Sequence, residues 1–236
     1  MEKFTFFKTI LSILIVLIVV TFFFFNFRKN IFNQLLAKSR LNSTQTRQIL
    51  FMRIFGFVFF GIIPAFIIIY VYKLSMKEYG LTMHINFLSF ILILLFGGFF
   101  ILLNSIHAKS KENLKIYPQI RIQNWNYSLL IISAFSWLVY LFAYEFMFRG
   151  FLFFSCINEM GIFVAIFINI TLYAFAHLTK STRELIGAIP MGIILCYITY
   201  YSKSFIPAFW IHSCLAISNE WYSIKYNSEI KINKNW

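Results

Sequence analysis

The sequence predicts an all-α fold, a polytopic transmembrane helix bundle of about seven spans. Of its 236 residues 60% are hydrophobic and only 12% charged, with a mean hydropathy of +0.76. An ordinary soluble domain is roughly half apolar. The apolar residues gather in runs long enough, at about 1.5 Å per residue, to cross a hydrocarbon core. Lys and Arg fall in the short segments between these runs, as topology signals do, so the net charge of +13 marks membrane-surface loops and no nucleic-acid partner is expected. Cys156, Cys196 and Cys214 form no CxxC pair and lie in or beside apolar segments, which reads as buried thiols without a disulfide framework or thiolate metal site.

Lys3 and Lys8 precede an uncharged run over 9–27. No small-x-small cleavage site follows it, so it is expected to be a retained first span. A basic loop with Arg28, Lys29, Lys38, Arg40 and Arg47 leads to a second span at 54–72, where Pro64 predicts a kink. The third, 85–106, contains Gly97-Gly98 for close helix contact. A second basic loop holds Lys109, Lys111, Lys115 and Arg121, with Pro118 stopping any helix. Trp125, suited to the interface, opens a fourth span to residue 156, longer than a bilayer requires. Runs at 161–176, 185–202 and 205–219 complete the seven. The richer basic loops belong on the cytoplasmic side, which predicts an external N-terminus and a cytoplasmic C-terminus. The division expected is an N-terminal region, residues 1–124, with three spans, a four-span core 125–221 and a basic tail 222–236.

Four ionisable side chains sit at membrane depth. Glu145 and Arg149 interrupt one apolar run, four residues apart and with the acid first, so a helix brings them to one face within reach of each other. An ionisable group in hydrocarbon costs several kcal/mol unless it is paired, hydrated or turned inward. His177 and His212 lie in two further spans. Either histidine alone is as readily a packing residue as a functional one; with Glu145 and Arg149 on a third helix they point to one hydrated cavity. Ser181-Thr182-Arg183-Glu184 fits a capping box that starts the sixth helix.

A carboxylate and two imidazoles suit activation of water for attack on an amide, with one group taking the proton and another steadying the tetrahedral intermediate. The same Glu145, His177 and His212 match the three-ligand pattern of a hydrolytic divalent metal site such as zinc, although no HExxH is present. Residue types and spacing leave protease, proton-coupled transporter and non-catalytic scaffold open. The transporter is the weakest, lacking repeated halves.

The order E-x-x-x-R-G (Glu145 to Gly150), aromatic-x-x-x-His (Tyr173 to His177) and a late His212 after Ser204-Phe205-Ile206-Pro207-Ala208-Phe209 resembles the CAAX prenyl protease and bacteriocin-processing family. These are the intramembrane proteases also called the type II CAAX protease or self-immunity (lysostaphin resistance protein A-like) family. The resemblance spans about 129–219. It implies an endopeptidase in a bacterial plasma membrane, acting on membrane-associated, prenylated or leader-bearing peptide substrates, with Glu145, Arg149, His177 and His212 as its catalytic set. Two positions depart: Tyr144 stands where the family has a first glutamate, and Ala216 where it has an asparagine. Asn219 and Asn169 are then the spare amides. On this reading Glu145 is the general base with His177, and His212 steadies the oxyanion. A protease-like scaffold, regulator or bacteriocin immunity protein is the alternative.

Overall fold

The computed structural model describes residues 2–28, 43–83 and 85–233. Lys29, Lys38, Arg40, His84 and Lys234 lie outside the described residues. Seven longer α-helices run through the rest: α1 (Glu2–Val20), α2 (Ser43–Phe57), α3 (Phe87–His107), α4 (Tyr127–Glu145), α5 (Phe153–His177), α6 (Thr182–Ser202) and α7 (Ile206–Tyr226). The expected all-α bundle is thus what the chain forms. Several helices extend through wider π-helical turns. Thr21–Arg28 follows α1, Phe146–Leu152 joins α4 to α5, and Val58–Ile62 and Ile67–Val71 flank the short α segment Ile63–Phe66 after α2. Pro64, in the first turn of that segment, lacks the amide a continuous ladder needs.

Among the described residues five helical stretches are long and apolar enough to cross a membrane: Phe6–Phe25, Gln45–Val71, Phe87–His107, Tyr127–His177 and Thr182–Ser202. These five stretches do not by themselves establish the expected seven spans. The 51-residue Tyr127–His177 is broken at Gly161 (φ 74°, ψ 170°), the residue at which the fifth span is expected to begin, so the expected fourth and fifth spans are separate helices on either side of it. That backbone region is essentially restricted to glycine. Helix α7, interrupted by His212, Ser213, Asn219 and Glu220, falls outside the five.

Helix starts follow from side chains able to take up orphan amides. Asn86 accepts from Ser89 N (2.8 Å) at α3, and Asn126 from Leu129 N (2.9 Å) at α4. Ser181 caps α6 by accepting from Glu184 N (3.2 Å). The Glu184 carboxylate, expected to return to the Ser181 amide, instead accepts from Ser181 Oγ (3.3 Å) and from Tyr117 Oη (3.1 Å). Helix α7 starts with Pro207 in its first turn, where a missing amide costs nothing. Ahead of it, the buried Ser204 Oγ hydrogen-bonds the carbonyls of Gly80 and Thr82 at 3.1 Å each.

Helix α7 packs along α3 and α4, α5 along α6 and α1, and α2 along α4. A core rich in aromatic rings fills the space around α1, α2, α4 and α5, and a smaller one (Phe100, Met191, Leu195, Ile198, Ile211) joins α3, α6 and α7. Outward-facing Phe135, Phe163, Phe167, Leu102 and Ile186 are all more than 60% exposed. A belt of that size suits lipid and not water. A short parallel pairing of β1 (Asn124–Asn126) with β2 (Lys231–Asn233) sits at the base of α4.

Candidate active site

Glu145 is the last residue of α4, and Arg149 lies in the π-helical stretch that follows; both are fully buried. Their separation brings Glu145 Oε2 to 3.3 Å from Arg149 Nε. The guanidinium lies 4.1 Å over the Tyr173 ring, so charge and ring face hold it in place. Gly150 permits the approach of this stretch to its neighbours, since a Cβ there would stand 2.7 Å from Phe146 and 3.0 Å from the Tyr79 carbonyl oxygen. Asn169 Nδ2 donates to the Phe148 carbonyl (2.5 Å) and Cys196 Sγ to Asn169 Oδ1 (3.3 Å), tying α5 and α6 to the same turn. Asn169 is thus a tie between helices.

The other Glu145 oxygen faces α7. His212 Nδ1 lies 2.6 Å from Glu145 Oε1. With the carboxylate ionised, Nδ1–H donates to it and Nε2 keeps its lone pair. His177 ends α5 with Nδ1 2.8 Å from the Tyr173 carbonyl oxygen and Nε2 3.3 Å from Lys180 Nζ. Tyr173 stands between the two histidines, its ring centroid 4.6 Å from that of His177 and 6.4 Å from that of His212.

Both histidines line a cavity of about 1110 Å³. Tyr144, Tyr173 and Asn219 share its wall, Phe100, Leu103 and Met191 give an apolar side, and His107, Glu112 and Arg183 also border it. Glu145 and Arg149 do not line it; they stand behind His212 and Tyr173. The four side chains expected to act together therefore fall into two ranks. His177 and His212 face the cavity, and the ion pair supports His212 from behind.

The donor set does not fit a metal. Glu145 turns one oxygen to His212 and the other to Arg149, and His177 meets Tyr173 and Lys180. Among the described residues no group of three His, Cys, Asp or Glu side chains is placed to hold an ion. The zinc expectation for Glu145, His177 and His212 finds no such grouping among the described residues.

Sequence reading missed a second buried ion pair, Arg53 with Glu220, whose Nη2 and Oε1 are 3.5 Å apart and whose side chains are each 1% exposed. Arg53 Nη1 donates to the Ser133 carbonyl (3.0 Å), Ser133 Oγ (3.2 Å) and Ser136 Oγ (2.8 Å), and Nη2 to Gln119 Oε1 (3.1 Å). The guanidinium also stacks 4.1 Å over Trp137. The usable signal was charge within apolar sequence, but the span boundaries expected at 54 and 219 stopped one residue short of each partner.

Residues 125–218 match the family model described as Type II CAAX prenyl endopeptidase Rce1-like. The matched stretch runs from just before α4 into α7 and contains Glu145, Arg149, His177 and His212; Arg53 and Glu220 lie outside it. No curated protein and no solved structure matches the chain.

Proposed function

We propose that this chain, an integral membrane protein with a type II CAAX prenyl endopeptidase-like stretch over residues 125–218, hydrolyses a peptide bond in the cavity between α4 and α7. The observation that carries the reading is the 2.6 Å contact between Glu145 Oε1 and His212 Nδ1 at the cavity wall. A carboxylate on Nδ1 fixes the tautomer and ring orientation and steadies the imidazolium that forms, as in carboxylate–histidine pairs of other hydrolases. His212 Nε2 is the general base: it takes a proton from water as the water oxygen adds to the substrate carbonyl carbon. When the tetrahedral intermediate collapses, the C–N bond breaks and the departing amine takes a proton, for which His177 and His212 both face the cavity. Glu145 acts through His212 as a positioning residue, and Arg149 holds the second carboxylate oxygen.

This division of labour differs from the reading that makes Glu145 the base. Both Glu145 oxygens are engaged, and the residue does not line the cavity. The four C-terminal helices (125–221) form the catalytic unit, while Arg53 from the N-terminal region also reaches the cavity wall. The basic Arg183 at its border, with Lys180 nearby, supports a cytoplasmic opening. The substrate class is a membrane-associated peptide, including one with a prenylated cysteine near its C-terminus.

Purified protein in detergent, presented with membrane peptides with and without a prenylated CAAX end, is expected to cleave at a defined bond. His212→Ala is expected to abolish that cleavage in protein that still folds, with a lower thermal midpoint because the buried Glu145 Oε1 loses its partner. Wild-type kinetics in His212→Ala would defeat the assignment. Tyr144 and Ala216, at two positions where the resembled family has Glu and Asn, favour a second reading as a non-catalytic membrane scaffold or immunity protein. In that case His212→Ala leaves the cellular phenotype unchanged.

A further inference from the structure

His177 and His212 both line the cavity, but their rings are held in different ways. A carbonyl oxygen only accepts, so His177 Nδ1, 2.8 Å from the Tyr173 oxygen, carries the ring hydrogen and Nε2 keeps the lone pair. An ammonium only donates, and Lys180 Nζ lies 3.3 Å from that Nε2. The lone pair is therefore taken. Lys180 is held in its turn by Glu184, Nζ to Oε2 at 3.5 Å, with the two side chains 19% and 24% exposed. Glu184 Oε2 also accepts from Tyr117 Oη, and Oε1 accepts from Ser181 Oγ. A chain of polar contacts thus runs from Tyr117, ahead of α4, through α6 and the turn after α5 to the last residue of α5.

His212 stands apart from this chain. Its Nδ1–H points to the Glu145 carboxylate, which steadies an imidazolium, and its Nε2 lone pair is left for water. A proton added to His177 Nε2 would have to displace the Lys180 hydrogen bond and set two positive charges side by side, with only a carbonyl facing the other ring nitrogen. We propose that Lys180 is a positioning residue: it holds His177 as a neutral acceptor and so leaves His212 as the single histidine through which the proton passes. His212 Nε2 takes that proton from water as the new C–O bond forms. It gives the proton to the amine nitrogen as the C–N bond breaks, and the ring returns to its neutral form. His177 and Lys180 fix one another at the cavity wall and exchange no proton with the substrate. This inference rests on the hydrolase reading above and assigns its proton path to one ring.

Histidine ring-nitrogen NMR of the full chain in detergent, at the pH of the cleavage assay, tests the Lys180 contact. The chain has four histidines, so the spectrum of His177→Gln identifies the His177 signals by their loss. His177 is expected to show a protonated Nδ1 and a bare, hydrogen-bonded Nε2. Lys180→Met is expected to shift that Nε2 signal to the position of an unbonded nitrogen while the His212 signals stay in place. A protonated His177 Nε2 in the wild type, or an unchanged Nε2 signal in Lys180→Met, overturns the proposal and leaves the hydrolase reading intact. Cleavage of the same membrane peptides tests the proton path. His177→Gln keeps a side-chain acceptor for Lys180 and is expected to cost less than about tenfold in kcat, short of the roughly 10²–10⁴-fold that a proton-transferring group contributes. A loss in that higher range, with the wild-type thermal midpoint, returns His177 to the proton path and overturns the proposal. A wild-type protein that cleaves none of the peptides overturns the hydrolase reading and the proton path together.

Discussion

Arg53 and Arg149 are buried arginines that each face a glutamate, one in the last third of α2 and the other in the π-helical stretch between α4 and α5. Around Arg53 the two terminal guanidinium nitrogens meet two serines, a glutamine, a main-chain carbonyl and Glu220. Glu220 in turn accepts from Gln119 N and Ser133 Oγ, at 3.3 Å each. Arg149 has no such surround among the described residues: its contact with Glu145 is a 3.3 Å ion pair, and none of its nitrogens makes a further hydrogen bond of ordinary geometry. Of the side-chain atoms of the Arg53–Glu220 pair only Arg53 Nε lacks a hydrogen bond among the described residues, and a buried charge pair held by this many bonds fixes the helices that supply them. The sparser pair leaves one carboxylate oxygen for an imidazole on another helix, which is a use in chemistry.

The sharpest way to break this contrast is Glu145→Gln. Loss of the carboxylate removes the partner that sets the His212 tautomer, and activity is expected to drop by about 10³–10⁴-fold, read as kcat/KM on a cleaved peptide. Equal activity would place Glu145 with the structural pairs. Next in size is Glu220→Gln, which leaves Arg53 buried without its counter-charge. A loss of about 3–5 kcal/mol in unfolding free energy is expected, with kcat per folded molecule retained; a selective loss of kcat would move this network into the reaction. Asn169→Ala should cost about 1–3 kcal/mol through the unpaired Phe148 carbonyl, seen as a lower thermal midpoint. The smallest effect belongs to the double replacement Arg53→Met with Glu220→Leu. Removing both charges together is expected to be near neutral or mildly stabilising, and a collapse of the fold would show that the network specifies the packing.

The contrast also marks what the sequence could and could not disclose. Glu145 and Arg149 stood out because two charges interrupted a long apolar run, and their four-residue spacing made the pairing readable. His177 and His212 were legible as polar exceptions of the same kind. The partner of Glu145 was not: a bond between residues 67 positions apart depends on how α4 and α7 are rotated about their axes, which hydropathy does not encode. Arg53 and Glu220 escaped because charge at the edge of an apolar run reads as its end, whereas tertiary packing carries α2 and α7 past both residues. The all-α class followed from composition, and the expected boundary at 161 falls on Gly161, whose non-helical backbone breaks the chain into two helices there by an angle that no apolar count reveals.

The pairing of Trp125 with Ile232, flanked by Asn124 with Lys231 and Asn126 with Asn233, joins the chain just ahead of α4 to the chain just after α7. The four helices that bear Glu145, His177 and His212 are thereby closed into a ring, fastened by a three-residue clasp. Pull on either end is resisted there, before it can slide α7 along α4 and lengthen the carboxylate–imidazole contact.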